Sequence, residues 1–213
     1  MWPRLLGATS VWMCCSGCCA DQPRIDVGCG YSAGMKRVLL TGMSGTGKST
    51  VIRELATLGH KAIDLDEPGW SELTNVARQT GASAFGAGRD WLWREECVQD
   101  LLSVEDTDVL FLSGCAPNQV KFYSQFDHIV LLSAPVPLMI ERLATRTTNP
   151  YGKQPDELAM VLQHKQTVEP MLRKVASLEV DTTVSVDRVV ETILGPGAVL
   201  SATSLASRII ATD

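Results

Sequence analysis

The residues with the clearest chemical meaning form one continuous segment, Gly42-Met43-Ser44-Gly45-Thr46-Gly47-Lys48-Ser49-Thr50. It fits the pattern G-x-x-x-x-G-K-[ST] of loops that bind the phosphates of nucleoside triphosphates. Glycines let backbone N–H groups turn toward an anion, and a following helix adds the positive end of its dipole. We therefore expect this segment to hold ATP, with Lys48 at the β- and γ-phosphates and Ser49 as a Mg²⁺ ligand.

The sequence on either side of this loop supplies the context that the motif requires. An apolar strand precedes it at 38–40, and residues 50–56 read as a helix. A glycine-rich turn that matched the pattern by chance would not be expected to have a strand before it and a helix after it. The sequence therefore predicts a strand, a phosphate-binding loop and a helix in succession.

Two carboxylates follow the next apolar segment, at Asp64 and Asp66. Alternation along a strand places both on one face, at the carboxyl edge of a parallel sheet, where α/β proteins bind ligands. A carboxylate pair at this edge suits Mg²⁺ or a substrate hydroxyl in phosphoryl transfer. The alternative is that the two aspartates only cap the following helix.

Arg94 lies in a segment, residues 90–102, whose spacing predicts an amphipathic helix with Asp90 as its N-cap. Its guanidinium could bind an anionic or polyhydroxy substrate. It could equally pair with a nearby glutamate on the helix surface. The neighbouring Trp91 and Trp93 are interpreted as core or interface residues.

Ser113, Gly114 and Cys115 end a continuous apolar run that predicts a buried strand. Small residues here would let a ligand approach the backbone closely. No acidic residue ends this strand, so an aspartate that orients Mg²⁺ must come from Asp64 or Asp66. Cys115 is interpreted as a small core thiol, because no histidine partner is evident.

Arg142 and Arg146 stand four residues apart at the end of a helix predicted over 137–145. The segment 146–153 has turn-forming residues and basic ends, as a lid over a site would. The two arginines could neutralise charge on a transferring phosphoryl group. Plain surface charge is the alternative.

The fold class that follows is α/β, a three-layer P-loop NTPase fold with a central parallel sheet of about five strands and a small lid. Residues 67–90 read as helix fragments and a connection. The remaining elements are predicted as a strand at 128–134, a helix at 155–176, a strand at 178–182 and a helix at 187–194.

Length, charge and hydropathy narrow the classes of function. The chain has 213 residues and a net charge of -5, which argues against a general nucleic-acid binder. No stretch of 18 apolar residues occurs, so no membrane span is expected.

We expect a kinase domain at 35–194, an N-terminal extension or mis-assigned start at 1–34, and a loose tail at 195–213. A cytoplasmic monomer or weak dimer is expected.

Residues 36–194 resemble the small P-loop kinases of metabolites, and most closely the shikimate kinase branch of the nucleoside monophosphate kinase group. The resemblance implies a Mg²⁺-associated Asp64 and a substrate-binding Asp66. Trp93-Arg94 resembles this family's aromatic-arginine substrate motif, and Ser113-Gly114-Cys115 stands where its glycine triplet stands. By the same resemblance, Arg142 and Arg146 are the adenine-side and lid arginines, and Val180-Asp181-Thr182 is the adenine loop.

Two departures from this family concern the acceptor. Asn149-Pro150 stands where the family's lid has Arg-Pro, and Val168 stands where a substrate arginine precedes the proline by two residues. A carboxylate without its bidentate arginines binds poorly, so shikimate is not the expected acceptor.

The resulting hypothesis is an ATP-dependent kinase of a small molecule with a hydroxyl acceptor. Ser49 and Asp64 would position Mg²⁺, Asp66 would orient or deprotonate the hydroxyl, and Arg94 would hold the acceptor. A nucleoside monophosphate kinase and a nucleotide-binding regulatory ATPase are the alternatives.

Overall fold

The computed structural model describes residues 34–75 and 89–195. The strands in these ranges are β1 (Lys36–Thr41), β2 (Lys61–Asp64), β3 (Ser71–Asn75), β4 (Arg89–Trp93), β5 (Val109–Ser113), β6 (His128–Ser133) and β7 (Leu178–Asp181). The helices are α1 (Lys48–Thr57), α2 (Glu95–Ser103), α3 (Val136–Thr145), α4 (Pro155–Thr167), α5 (Glu169–Val175) and α6 (Val186–Leu194), with a 3-10 helix at Pro117–Gln125.

Five strands form one parallel sheet in the order β2-β5-β1-β6-β7. The central strand β1 pairs with both neighbours, so that Leu39 lies opposite Leu112 of β5 and Ile129 of β6. Continuous apolar runs are expected for such strands, because helices cover both faces of a parallel sheet. The predicted three-layer α/β fold with about five parallel strands is confirmed.

Alternate residues of the central strands point to opposite faces and fill two separate cores. On one face, Val38 and Leu40 lie in a cluster with apolar residues of α1 and α6. On the other face, Leu39 lies in a cluster with apolar residues of α2 and Phe122 of the 3-10 helix. The carboxyl ends of all five strands therefore meet at one edge between two fixed layers.

The segment before α2 differs from the sequence prediction. Residues 89–93 form strand β4, which pairs antiparallel with β3 so that Ser71 lies opposite Trp93 and Thr74 opposite Asp90. The helix starts only at Glu95, so the expected N-cap at Asp90 was wrong. Within 67–90, expected to hold helix fragments and a connection, residues 71–75 form a strand. Tryptophan favours strands, and cross-strand pairing overrode the helical spacing. The rest of the expected connection, residues 76–88, lies outside the described residues.

The helix predicted over 155–176 is two helices, α4 and α5, that meet at Val168. Pro170 occupies the first turn of α5. Proline has no N–H to continue the hydrogen-bond ladder and its ring clashes with the preceding turn, so the chain breaks there.

The predicted extension at 1–34 and tail at 195–213 fall almost wholly outside the described residues. Within the described ranges, none of the helices has both the length and the apolar character that a bilayer crossing requires.

Candidate active site

The segment Gly42–Gly47 forms the loop between β1 and α1. Gly42 has φ 147°, and a Cβ there would lie 2.3 Å from the carbonyl oxygen of Leu132, so no larger residue fits. The buried Thr46 hydroxyl donates to the Met43 carbonyl at 2.8 Å and closes the loop on itself. The N–H groups of the first two residues of α1, Lys48 and Ser49, have no partner within the helix and are left for an anion, whereas that of Thr50 donates to the Gly47 carbonyl at 3.0 Å.

Lys48 extends across the mouth of this loop. Its side chain is buried, and its Nζ donates to the Gly42 carbonyl at 2.9 Å. The same Nζ lies 3.7 Å from Oδ2 of Asp66. A single ammonium group therefore links the phosphate-binding loop to the carboxylate that follows β2.

Ser49 and Asp64 meet beside the loop. The Ser49 hydroxyl donates to Oδ2 of Asp64 at 2.7 Å, and the other carboxylate oxygen accepts the N–H of Asp66 at 3.2 Å. Hydroxyl and carboxylate oxygens at this spacing fit Mg²⁺, which keeps several water or phosphate ligands of its own. No group of three or more metal-binding side chains occurs in the part of the chain that the structure describes. The pair therefore suits a partly hydrated cation.

Asp66 lies at the carboxyl edge of the sheet next to Lys48. Burial raises the pKa of the Asp66 carboxyl above its ordinary value, and the negative charge of Asp64 adds to this rise. The positive charge of Lys48, the N–H of Cys115, which donates to Oδ1 at 3.1 Å, and the indole N–H of Trp93 all oppose the rise in pKa. A carboxyl group in this environment is suited to accepting a proton.

The small residues after β5 contact the protein itself. The Ser113 hydroxyl is buried and has no hydrogen-bond partner among the described residues. A Cβ at Gly114 would lie 2.9 Å from Oδ1 of Asp66 and 2.9 Å from Cζ2 of Trp93. Asp66 and Trp93 thus fill the space that a side chain at position 114 would occupy.

Cys115 has the surroundings of a packed thiol. Burial raises the pKa of the Cys115 thiol, and Lys48 opposes that rise. A thiol with a raised pKa is a poor nucleophile at neutral pH. The sulfur also accepts a long contact from Gln119 Nε2 at 3.9 Å. These contacts agree with the interpretation of Cys115 as a packing residue beside the site.

Arg94 lies between β4 and α2 and is about half exposed. Its Nε lies 3.9 Å from Glu72 of β3, and its Nη1 donates to the Gly69 carbonyl at 3.5 Å. The main-chain N–H of Arg94 donates to the Trp70 carbonyl at 2.7 Å. The guanidinium therefore has an acidic neighbour, Glu72, that sequence reasoning did not identify.

Arg142 joins three elements at the loop. Its guanidinium donates to the hydroxyl and carbonyl of Thr182 at 2.9 and 2.6 Å, and to the Gly45 carbonyl at 3.4 Å. Thr182 is buried and its hydroxyl donates in turn to the Ser133 carbonyl. The adjacent Asp181 is exposed and accepts the N–H of Thr183 at 2.8 Å. Sequence reasoning placed Thr182 in the adenine loop but did not predict its bonds to Arg142.

Arg146 binds a different part of the protein from Arg142, although the two residues are one helical turn apart. It follows the last residue of α3, and its Nη2 donates to the Tyr151 carbonyl. Burial lowers the pKa of the Arg146 guanidinium, and its Nε is buried without a partner among the described residues. The structure thus places Arg142 on the phosphate-binding loop and Arg146 in the segment expected to form the lid.

Asn118 is another residue that sequence reasoning did not identify. Its side chain accepts the N–H of Trp93 at 3.1 Å and donates to the carbonyl of Trp93 at 2.9 Å. The two bonds join the 3-10 helix to β4 across 25 residues of sequence. No local pattern in the chain marks this pairing.

Comparison with known proteins agrees with this geometry. The sequence family described as AAA domain matches residues 38–163. A shikimate kinase from Halorhodospira halophila is 30% identical over 161 residues, which cover 69% of this chain and 84% of that protein. This chain belongs to the small P-loop kinases of the shikimate kinase-like group. The predicted family is confirmed.

Two further similarities concern the fold and the chain length. A shikimate kinase from Acinetobacter baumannii, solved in complex with shikimate, matches with a TM-score of 0.50 and 24% identity, over 75% of this chain and 93% of that one. It supports the fold. A nucleotide-binding protein from Acidobacterium capsulatum is 25% identical over 160 residues, 71% of this chain. The match spans 46% of that longer protein.

Proposed function

We propose that this protein is an ATP-dependent phosphotransferase that moves the γ-phosphate of ATP to a hydroxyl group of a small molecule. One observation carries the proposal. The Nζ of Lys48 lies 2.9 Å from the Gly42 carbonyl and 3.7 Å from the Asp66 carboxylate, so the phosphate-binding loop and a candidate base meet at one cation. This convergence is what in-line transfer from a nucleotide to an acceptor requires.

On the nucleotide side, the main-chain N–H groups of residues 42–50 that are not bonded within the loop, and the ammonium of Lys48, hold the phosphates. Arg142 adds a positive charge at the loop, and Asp181 lies on the adenine side, next to the Thr182 that binds Arg142. Arg146 approaches the phosphates when the lid closes. Ser49 and Asp64 hold Mg²⁺, which when bound neutralises charge on the phosphate oxygens.

On the acceptor side, Asp66 orients the hydroxyl and accepts its proton. Its raised pKa supports this role, because a base works best when its pKa approaches the ambient pH. The main chain at Ser113, Gly114 and Cys115 borders the acceptor, and Arg94 contacts it from the other side. Glu72 lies 3.9 Å from Nε of Arg94 and would compete with an acceptor carboxylate for that guanidinium. We infer that the acceptor is not a carboxylic acid such as shikimate.

The test is an ATP-consumption assay with the full chain across a panel of small hydroxyl compounds, together with AMP, CMP, GMP and UMP. We expect turnover with a hydroxyl compound that disappears in Asp66→Asn. Asp100→Asn, an exposed carboxylate on α2, is the matched control and should retain turnover. Turnover confined to the nucleotides would indicate a nucleoside monophosphate kinase. Hydrolysis of ATP without any acceptor would indicate a regulatory ATPase.

A further inference from the structure

Trp93 carries a polar group that the surrounding fold leaves unexplained. The side chain is 2% exposed, and its Nε1 is buried without a hydrogen bond of normal geometry among the described residues. A buried tryptophan N–H usually has a partner, because leaving it unpaired costs free energy. The group therefore points to an interaction beyond simple packing.

The indole edge faces the Asp66 carboxylate across Gly114. A Cβ placed on Gly114 would lie 3.1 Å from Nε1 of Trp93 and 2.9 Å from Oδ1 of Asp66. The two groups thus share the space that a side chain at position 114 would fill. The indole N–H also acts on this carboxyl group as a donor that opposes the burial-driven rise in the pKa of Asp66.

The other contacts of Asp66 separate its two oxygens. Oδ1 accepts the N–H of Cys115 at 3.1 Å, on the side where the indole lies. Oδ2 lies 3.7 Å from Nζ of Lys48, toward the phosphate-binding loop. One oxygen is therefore held by the protein while the other is presented to the reacting groups.

Trp93 is itself fixed on two sides. Asn118, which is buried, bonds both the N–H and the carbonyl of the Trp93 main chain. The ring of Phe122 lies with its centroid 6.0 Å from that of Trp93 and inclined by 42°. A side chain held in this way can position a neighbour without moving itself.

We propose that Trp93 is a positioning residue for Asp66. Its indole N–H, which already faces Oδ1 in the free protein, closes to a full hydrogen bond with Oδ1 when the acceptor is bound, and so directs Oδ2 at the acceptor hydroxyl. Catalytic hydrogen bonds that are loose in a free enzyme commonly tighten in the substrate complex. This inference rests on the proposed function, in which Asp66 is the base.

The first test replaces Trp93 with phenylalanine in the full chain, which removes the N–H and keeps most of the ring. We expect kcat to fall about tenfold, the loss typical of one hydrogen bond to a charged group, while KM for ATP stays within about twofold. Trp91→Phe is the matched control and should leave kcat unchanged. An unchanged kcat in Trp93→Phe would overturn the proposal, as would a rise in KM for ATP that matches the loss in kcat.

The second test does not depend on turnover. Spectra of ¹⁵N-labelled full chain, with the indole resonances assigned by Trp→Phe variants, report on the surroundings of each Nε1. Asp66→Ala should shift the Trp93 indole resonance and leave that of Trp91 in place. A Trp93 indole chemical shift that is unchanged in Asp66→Ala would overturn the proposal even if the kinase activity is found. If no acceptor is ever phosphorylated, the proposed function fails, and this spectrum still shows whether the contact exists.

Discussion

The two sides of the site are built in different ways. The phosphate side, residues 42–49 with Arg142, depends mainly on the main chain, since Lys48 and Arg142 both bind its carbonyl groups. The acceptor side, β3 and β4 with Arg94, depends on side chains from separate elements. There Arg94 lies 3.9 Å from Glu72, while Asn118 bonds the main chain of Trp93.

This difference indicates which side of the site can change its substrate specificity. A loop of main-chain amides tolerates little variation, because Gly42 already lies against the Leu132 carbonyl. The acceptor side can exchange single side chains without disturbing the sheet. The members of a kinase family can therefore share one phosphate site and differ in acceptor.

The largest effect is expected from Lys48→Ala on the phosphate side. Removing a charge-stabilising donor from a reaction centre commonly costs 100- to 1,000-fold, and we expect a loss of at least about 1,000-fold in phosphoryl transfer. The fold should persist, as measured by circular dichroism. Lys61→Ala, which removes an exposed pair with Asp106, is the control and should stay near wild type. Retained transfer in Lys48→Ala would contradict the proposed mechanism.

The next effect is expected at the junction of the two sides. Gly114→Ala would bring a methyl group to 2.9 Å from both Oδ1 of Asp66 and Cζ2 of Trp93. We expect kcat to fall about 100-fold, because displacement of a catalytic group by about 1 Å has that cost. Stability should fall by about 1–3 kcal/mol, measured by urea unfolding. Gly34→Ala, where a Cβ meets nothing within 4 Å, is the control.

A smaller effect is expected from Arg142→Ala. The change removes the bonds to Thr182 and Gly45, so KM for ATP should rise about 10- to 100-fold. KM for the acceptor should change little, because Arg142 belongs to the phosphate side. Arg188→Ala removes only a surface pair with Glu191 and serves as the control. Equal rises in both KM values would remove the distinction between the two sides.

The phosphate side was the part that sequence could predict. Its motif, strand and helix are contiguous, so local residue types determine the geometry of the loop. The parallel sheet of about five strands was also predicted, from continuous apolar runs, whereas the order of its strands was not. The segment near Arg94 was mispredicted as a helix from position 90, because the pairing of β4 with β3 depends on residues distant in sequence.

Several contacts within the site could not be predicted from the sequence for the same reason. Glu72 reaches Arg94, and Asn118 reaches Trp93, only after the chain has folded. The divergence of Arg142 and Arg146 also depends on α3 ending at Thr145, which turns the second arginine toward Tyr151. Spacing alone placed the two arginines on one face.

The smallest effect is expected from Glu72→Gln on the acceptor side. An exposed ion pair contributes about 0–1 kcal/mol, so the free energy of unfolding should change by less than about 1 kcal/mol. Freeing Arg94 should lower KM for acceptor analogues that carry a carboxylate by about twofold to fivefold. KM for ATP should not move. A lower KM for ATP in this variant would show that the two sides are coupled.

The most direct test is the binding of ATP and GTP to the full chain by isothermal titration calorimetry, with and without Mg²⁺. We expect binding that strengthens with Mg²⁺ and is lost or greatly weakened in Lys48→Ala, while Lys61→Ala binds as wild type does. The absence of any Mg²⁺-dependent affinity for either nucleotide in the wild-type chain would contradict the assignment of residues 42–49 as a triphosphate site.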